Sequence, residues 1–199
     1  MMSTPSLAVP VLRPTTRRSR RQCARRDALR LRASVMHALR SFFEREGFLE
    51  VDTPTLVPAP GQEAELSPFR VTSGAGESAF LITSPEHHMK RLVASRVGER
   101  IYQVCRCYRD EVATCHHRRE FTMVEWYRIG ADYEQIADDV ERLLRHIGLQ
   151  LNGHEQLCWQ NVQFDLGEPW QRITVDQAFS HFAGVDAVCD LTAGSLARR

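Results

Sequence analysis

Apolar and polar positions along the chain follow two periods, and each period predicts an element. From Arg26 to Glu46, Leu31, Val35, Leu39, Phe42 and Phe43 recur at helical spacing as one apolar stripe, and Gly47 is placed to end the helix. Phe48–Val51 follows as a short strand. Thr53–Glu65 holds Pro54, Pro58, Pro60 and Gly61 and predicts a loop crossing the surface. Leu66–Thr72 and Ala79–Thr83 read as a hairpin around Ser73-Gly74-Ala75-Gly76. Ser84 is placed to cap a helix with Pro85 at its first position, Met89, Leu92 and Val93 inward, and an end near Gly98. Ile101–Arg109 then alternates as a strand does, and Phe121–Arg128, rich in aromatic residues, reads as its partner. Asp132 with Gln135 makes a capping box for a helix striped by Ile136, Val140, Leu143, Leu144 and Ile147 and ended by Gly148. Gln150–Arg172 is less regular, with a short hairpin around Gly167. Thr174 and Gln177 begin a last helix that stops near Gly184. Two adjacent hairpins flanked by helices predict an α/β fold of the α+β type with a largely antiparallel sheet.

Composition changes this picture little. A chain of 199 residues, 43% hydrophobic and 26% charged, suffices for one domain with a core. Its net charge of +1 implies no general affinity for nucleic acid. The charge is uneven, with ten arginines and one acid, Asp27, between Arg13 and Arg40. Residues 1–25 read as a solvated basic tail, with an arm touching RNA or an acidic protein as the alternative. Residues 26–199 form the expected domain. The leader's Arg, Ser and Thr superficially fit an organelle transit peptide, but its prolines and lack of an apolar helical face favour a cytoplasmic protein. No apolar run reaches the roughly 18 to 20 residues of a membrane span. Six cysteines are present, and Cys105 and Cys107 share a strand face. Their spacing suits zinc poorly, so buried free thiols are expected.

The hairpin carries the candidate chemistry. Side chains two apart on a strand share a face, so Arg109 goes with Glu111, and Phe121 with Met123, Glu125 and Tyr127. One surface then offers an Arg for phosphate, an aromatic plate for a base, and a carboxylate with a phenol for a cationic substrate. Spacing alone favours the plainer reading, an ordinary amphipathic hairpin with a solvated basic loop.

Three segments in order narrow the choice: Gly47-Phe48-Leu49-Glu50-Val51-Asp52-Thr53-Pro54, Thr83-Ser84-Pro85-Glu86-His87-His88-Met89-Lys90, and Tyr108-Arg109-Asp110-Glu111 with Phe121-Thr122-Met123-Val124-Glu125-Trp126-Tyr127. Together they resemble class II aminoacyl-tRNA synthetases of the lysine type, over roughly Arg25 to Gly148. The narrower similarity is with the elongation factor P lysine ligase group, paralogs of lysyl-tRNA synthetase.

The resemblance implies a class II antiparallel sheet flanked by helices, incomplete at the C-terminus, and a homodimer built on the first helix and strand. It implies binding of ATP with Mg, with Arg109 on the α-phosphate, Glu111 at the adenine edge, Phe121 stacked on adenine and His117 near the terminal phosphates. Asp110 and Arg118 belong to the same cofactor-binding segment, and Arg109 and Glu111 would be the catalytic pair. Ser84, Pro85, Glu86, Glu125 and Tyr127 would bind lysine or β-lysine, with Glu86 at its α-amino end and Glu125 and Tyr127 near its side-chain end. Metal ligands are not identifiable beyond Glu111. The implied reaction is formation of an aminoacyl-adenylate, then transfer to a lysine of elongation factor P. The alternatives are a lysyl-tRNA synthetase catalytic fragment or a truncated, non-catalytic product. About 26 residues precede the first helix, too few for an anticodon-binding barrel, so tRNA is not the expected partner. The family's His-Asn-Pro-Glu-Phe loop is here His117-Arg118-Arg119-Glu120-Phe121. Nothing after Gly148 resembles motif 3 with its ATP-clamping Arg, so weak activity from the chain alone is expected.

Overall fold

The computed structural model describes residues 17–61 and 63–184. Helix α1 (Arg17–Arg45) leads into β1 (Leu49–Glu50), β2 (Leu56–Val57), β3 (Arg70–Thr72) and β4 (Ser78–Leu81). Helix α2 (Glu86–Ala94) precedes the long hairpin of β5 (Arg100–Tyr108) and β6 (Glu120–Arg128). Helix α3 (Tyr133–Asn152), the hairpin β7 (Gln156–Trp159) and β8 (Val162–Asp165), and α4 (Val175–Ala178) follow, α4 running into a π-helical turn over Phe179–Ala183. The fold is mixed α/β, and every strand pairing is antiparallel except that of β1 with β5.

The hairpin is the centre of the structure. Its register pairs Gln103 with Glu125, Cys105 with Met123 and Cys107 with Phe121, so these residues share one face. Tyr102, Val104, Val124 and Trp126 occupy the other face, where they meet Leu39, Phe42, Phe43, Leu143 and Ile147 of α1 and α3. Phe43 is fully buried and stacks on Tyr102 at 4.4 Å between ring centroids. On the first face a smaller cluster joins Cys107, Cys105, Phe121 and Met123 to Val57, Phe80 and Ile82 from the β2–β4–β3 sheet. The helices thus cover one face, while much of the other stays open.

Several expected boundaries shift for local reasons. Helix α1 begins at Arg17 rather than Arg26, because the intervening Arg and Ala residues are good helix formers; residues 1–16 of the expected tail lie outside the described residues. Leu31 is exposed and lies beyond the packed part of the stripe. The predicted loop contains β2, paired to β4. Ser84 does not cap α2: Pro85 is its N-cap, with no side-chain hydrogen bond. Helix α3 passes through Gly148 and ends at Gly153, which has φ +74°. Gly148 serves packing instead, since a Cβ there would lie 3.3 Å from the His154 carbonyl oxygen. The later hairpin turns at Gln160 and Asn161, both at positive φ as a tight two-residue turn requires, and not at Gly167. The capping boxes at Asp132 and Thr174 are present, and Gly184 follows the last turn at φ +63°.

Candidate active site

Arg109 extends the first face of the hairpin by one rung, because its N–H donates to the Arg119 carbonyl at 2.9 Å. Arg109, Phe121 and Glu125 therefore lie on one face of two neighbouring strands. The Arg109 guanidinium sits 5.1 Å from the centre of the Phe121 ring. Its Nε is buried and has no hydrogen-bond partner. A desolvated donor in that state favours an anionic acceptor.

Beside it opens a cleft of about 480 Å³ lined by Arg109, Glu111, His117, Arg118 and Phe121, and by Arg32 and Arg106 as well. Arg32 comes from α1 and donates to Thr122 Oγ1 at 2.7 Å. Cations outnumber acids on this lining, which suits a polyanion. Asp110 is turned elsewhere: it approaches Arg119 at 3.8 Å, and its N–H donates to the Ser67 carbonyl. The loop holds its shape without the family's proline. His116 and His117 N–H groups donate to Thr114 Oγ1, and Arg119 Nε donates to the Glu111 carbonyl at 3.1 Å.

Glu125 occupies the other end of the same face. Tyr127 Oη donates to its Oε1 at 2.6 Å. Burial pushes the Glu125 carboxyl up from its ordinary value, Tyr127 opposes this, and nearby Glu86 adds to it. Burial and Glu125 also raise the Tyr127 phenol. Gln103, buried directly opposite Glu125, accepts from Thr53 Oγ1 at 2.9 Å and leaves its Nε2 unpartnered. A second cleft, about 230 Å³, is lined by Ser84, Glu86 and Lys90 with Glu63. Pro85 is buried behind it. Lys90 pairs with Glu86 one turn away, and Glu86, Lys90 and Glu63 all act electrostatically on Glu125. The acidic end thus gathers three carboxylates around a cation, an arrangement suited to an ammonium group.

Sequence reasoning missed Arg32, Arg106, Glu63, Lys90 and Gln103. Lys90 had a usable signal, its i,i+4 spacing from Glu86. Arg32 reaches across 90 positions of sequence and had none. The cysteines also need correction: Cys107 is buried and Cys105 half-buried, but Cys115 and Cys158 are exposed. Cys189 lies outside the described residues. Among the described residues no group of three His, Cys, Asp or Glu could hold a metal ion. The Mg expectation therefore finds no built protein site here, and no step is derived through it. Among the described residues no helix is long and apolar enough to cross a membrane.

A family model for class II tRNA synthetases (D, K and N) matches residues 14–191. This chain belongs to that family. The class II match extends past Gly148, further than the motifs alone. The elongation factor P–(R)-β-lysine ligase of Yersinia enterocolitica is 45% identical over 136 residues, 66% of this chain and 41% of the relative. The corresponding ligase of an Enterobacter species is 40% identical over 136 residues. The lysine–tRNA ligase of Roseiflexus castenholzii is 34% identical over 168 residues, 84% of this chain and 34% of the relative. The chain thus aligns with 34% to 41% of the length of these relatives.

Proposed function

We propose that this chain supplies the ATP- and lysine-binding half of a lysine-activating ligase. The observation carrying this reading is the shared face of Arg109, Phe121 and Glu125 on β5 and β6. Activation joins two anions, the amino-acid carboxylate and the α-phosphate of ATP. The protein must neutralise charge and hold the two in line. Arg109 forks onto the α-phosphate, with its buried Nε–H taking one oxygen. Phe121 stacks on adenine, and Glu111 accepts from the adenine edge. His117 and Arg118 approach the outer phosphates, and Asp110 braces the loop through Arg119. At the far end Glu125 and Tyr127 receive one ammonium group of lysine or β-lysine, and Ser84, Pro85 and Glu86 frame the other.

Arg109 and Glu125 stand three rungs apart, roughly 20 Å along the strand. The Arg109 side chain and an extended lysine meet between them, so the reacting carboxylate lies over the Cys105 and Cys107 rungs. The activated lysine passes to a lysine of elongation factor P, in the cytoplasm. The extent of identity to the β-lysine ligases supports this acceptor. Alignment of 84% of the chain with a lysine–tRNA ligase supports tRNA as the second reading.

Lysine-dependent pyrophosphate exchange tests the first step, on this chain and on one extended with a family-like C-terminal half. We expect exchange that is slow or absent in the former and rescued in the latter, because the chain aligns with 34% to 41% of the length of its relatives and interactions made in the transition state set the rate. Labelled lysine or β-lysine should then reach elongation factor P. Transfer to tRNA instead would establish the second reading. No exchange from a folded extended protein would leave a non-catalytic role.

A further inference from the structure

We propose that Lys90 is the resident cation of the ammonium site: it pairs with Glu86 while the site is empty and gives way to an ammonium group of the substrate. The inference rests on the function proposed above. Lys90 is the only lysine in the sequence. Its ammonium lies against Glu86, the carboxylate proposed to frame an ammonium group of lysine or β-lysine. The two residues stand one turn apart on α2, so their side chains fall on one face. That face lines the cleft of about 230 Å³ together with Ser84 and Glu63. Among the described residues of this lining, Lys90 is the only lysine or arginine, against two glutamates. Chemically it is the same primary ammonium that the substrate brings.

Charge explains why a cation is kept there. Burial, then Glu86 and Glu63, push the Glu125 carboxyl up, and Lys90 works against them. With Lys90 absent, the empty site would set three carboxylates near one another with no ammonium among them, and protons would compete with the ligand for those oxygens. The pairing with Glu86, and more weakly the charge of Glu125, raise the Lys90 amine from its ordinary value, so it stays an ammonium. The same pair is easily exchanged. Both side chains are exposed, Lys90 at 60% and Glu86 at 43%, and exposed pairs at this spacing contribute little to stability. The flexible stem of Lys90 can carry its ammonium into water while the helix stays as it is. Glu86 then accepts from the ligand in place of Lys90, and the site keeps its charge balance.

A single lysine makes the test direct. A chain grown on isotopically labelled lysine carries one labelled ammonium group, that of Lys90. Its NMR signal should move, on addition of unlabelled lysine, toward the position of a solvated lysine ammonium. Lys90→Met keeps the stem and removes the competing charge. Calorimetry should show it binding lysine about two- to fivefold tighter than the parent, as expected for the loss of one exposed ion pair. Lys90→Arg restores a cation and should return the affinity to that of the parent, which a purely structural role would not produce. A Lys90 signal that stays in place while calorimetry shows lysine bound would overturn the displacement. So would a folded Lys90→Met chain that binds lysine no tighter than the parent. Absence of lysine binding in both the parent and Lys90→Met would overturn the ammonium site itself, and the proposed function with it.

Discussion

Glu125 couples a cost in stability to the substrate role proposed for it. Burial is the first cause of its raised carboxyl, ahead of the Tyr127 hydrogen bond that opposes it. A carboxyl raised on folding stabilises the fold below its unfolded value, and that contribution is lost as pH rises through the folded value. At neutral pH the ionised group is therefore a cost that an ammonium ligand relieves. Glu125→Gln should melt no lower than the parent at pH 7, while lysine affinity falls about tenfold or more, as for a lost charge-assisted hydrogen bond. Lysine affinity of the parent should improve as pH rises through the Glu125 range, and the variant should lack this dependence. Titration calorimetry across weakly acidic pH measures both, and a variant retaining lysine affinity would remove Glu125 from the site. Arg109 makes a parallel case. Arg109→Lys keeps the charge but loses the fork and the planar contact with Phe121. ATP affinity should drop by about one to two orders of magnitude, read by a fluorescent ATP analogue, and an unchanged affinity would refute the phosphate role.

At the scale of elements, the hairpin was legible and its anchoring was not. Strong alternation and aromatic content identify β5 and β6, and the shared face of Arg109 and Glu125 follows from a period of two. Buried polar contacts between distant segments leave no periodic trace. Asp139 is the main instance. It lies on the apolar side of α3 among Ile136 and Leu143, fully buried, and accepts from Arg128 of β6 and Arg142 at 2.9 Å each. Arg142 also pairs with Glu46 after α1, so one cluster fastens both helices to the hairpin. A lone acid in an apolar stripe was the available signal. The helix ends were misread for another reason: glycine can mark either a left-handed stop, as Gly153 does, or a close approach, as Gly148 does. Asp139→Ala leaves Arg128, with a side chain 16% exposed, facing a cavity without its anion. It should cost about 3–5 kcal/mol, measured by urea unfolding, and a loss under about 1 kcal/mol would mean the cluster acts as a solvated surface pair.

At the scale of the whole molecule, the unused surface argues for a second copy. The resemblance implies a dimer through α1 and the strand after it, yet Leu39, Phe42 and Phe43 of that helix are spent on the chain's own core. What remains outward is Leu29 at 59% and Leu31 at 56% exposure on α1, with Leu49 of β1 at 48%. Among the described residues β1 pairs with β5 alone, and its other edge has no partner strand. An exposed apolar helix stretch and an open strand edge each cost free energy in water, and a twofold contact lowers that cost. The interface should therefore involve the N-terminal half of α1 and β1 rather than the buried stripe. Sedimentation equilibrium should show dimer at tens of micromolar, roughly the range for an interface of standard size. Leu31→Glu should shift the protein to monomer without lowering its melting temperature, since Leu31 contributes little to the core. A Leu31→Glu chain that remains dimeric would move the interface elsewhere, and a parent that stays monomeric throughout would leave the exposed leucines without a partner of their own kind.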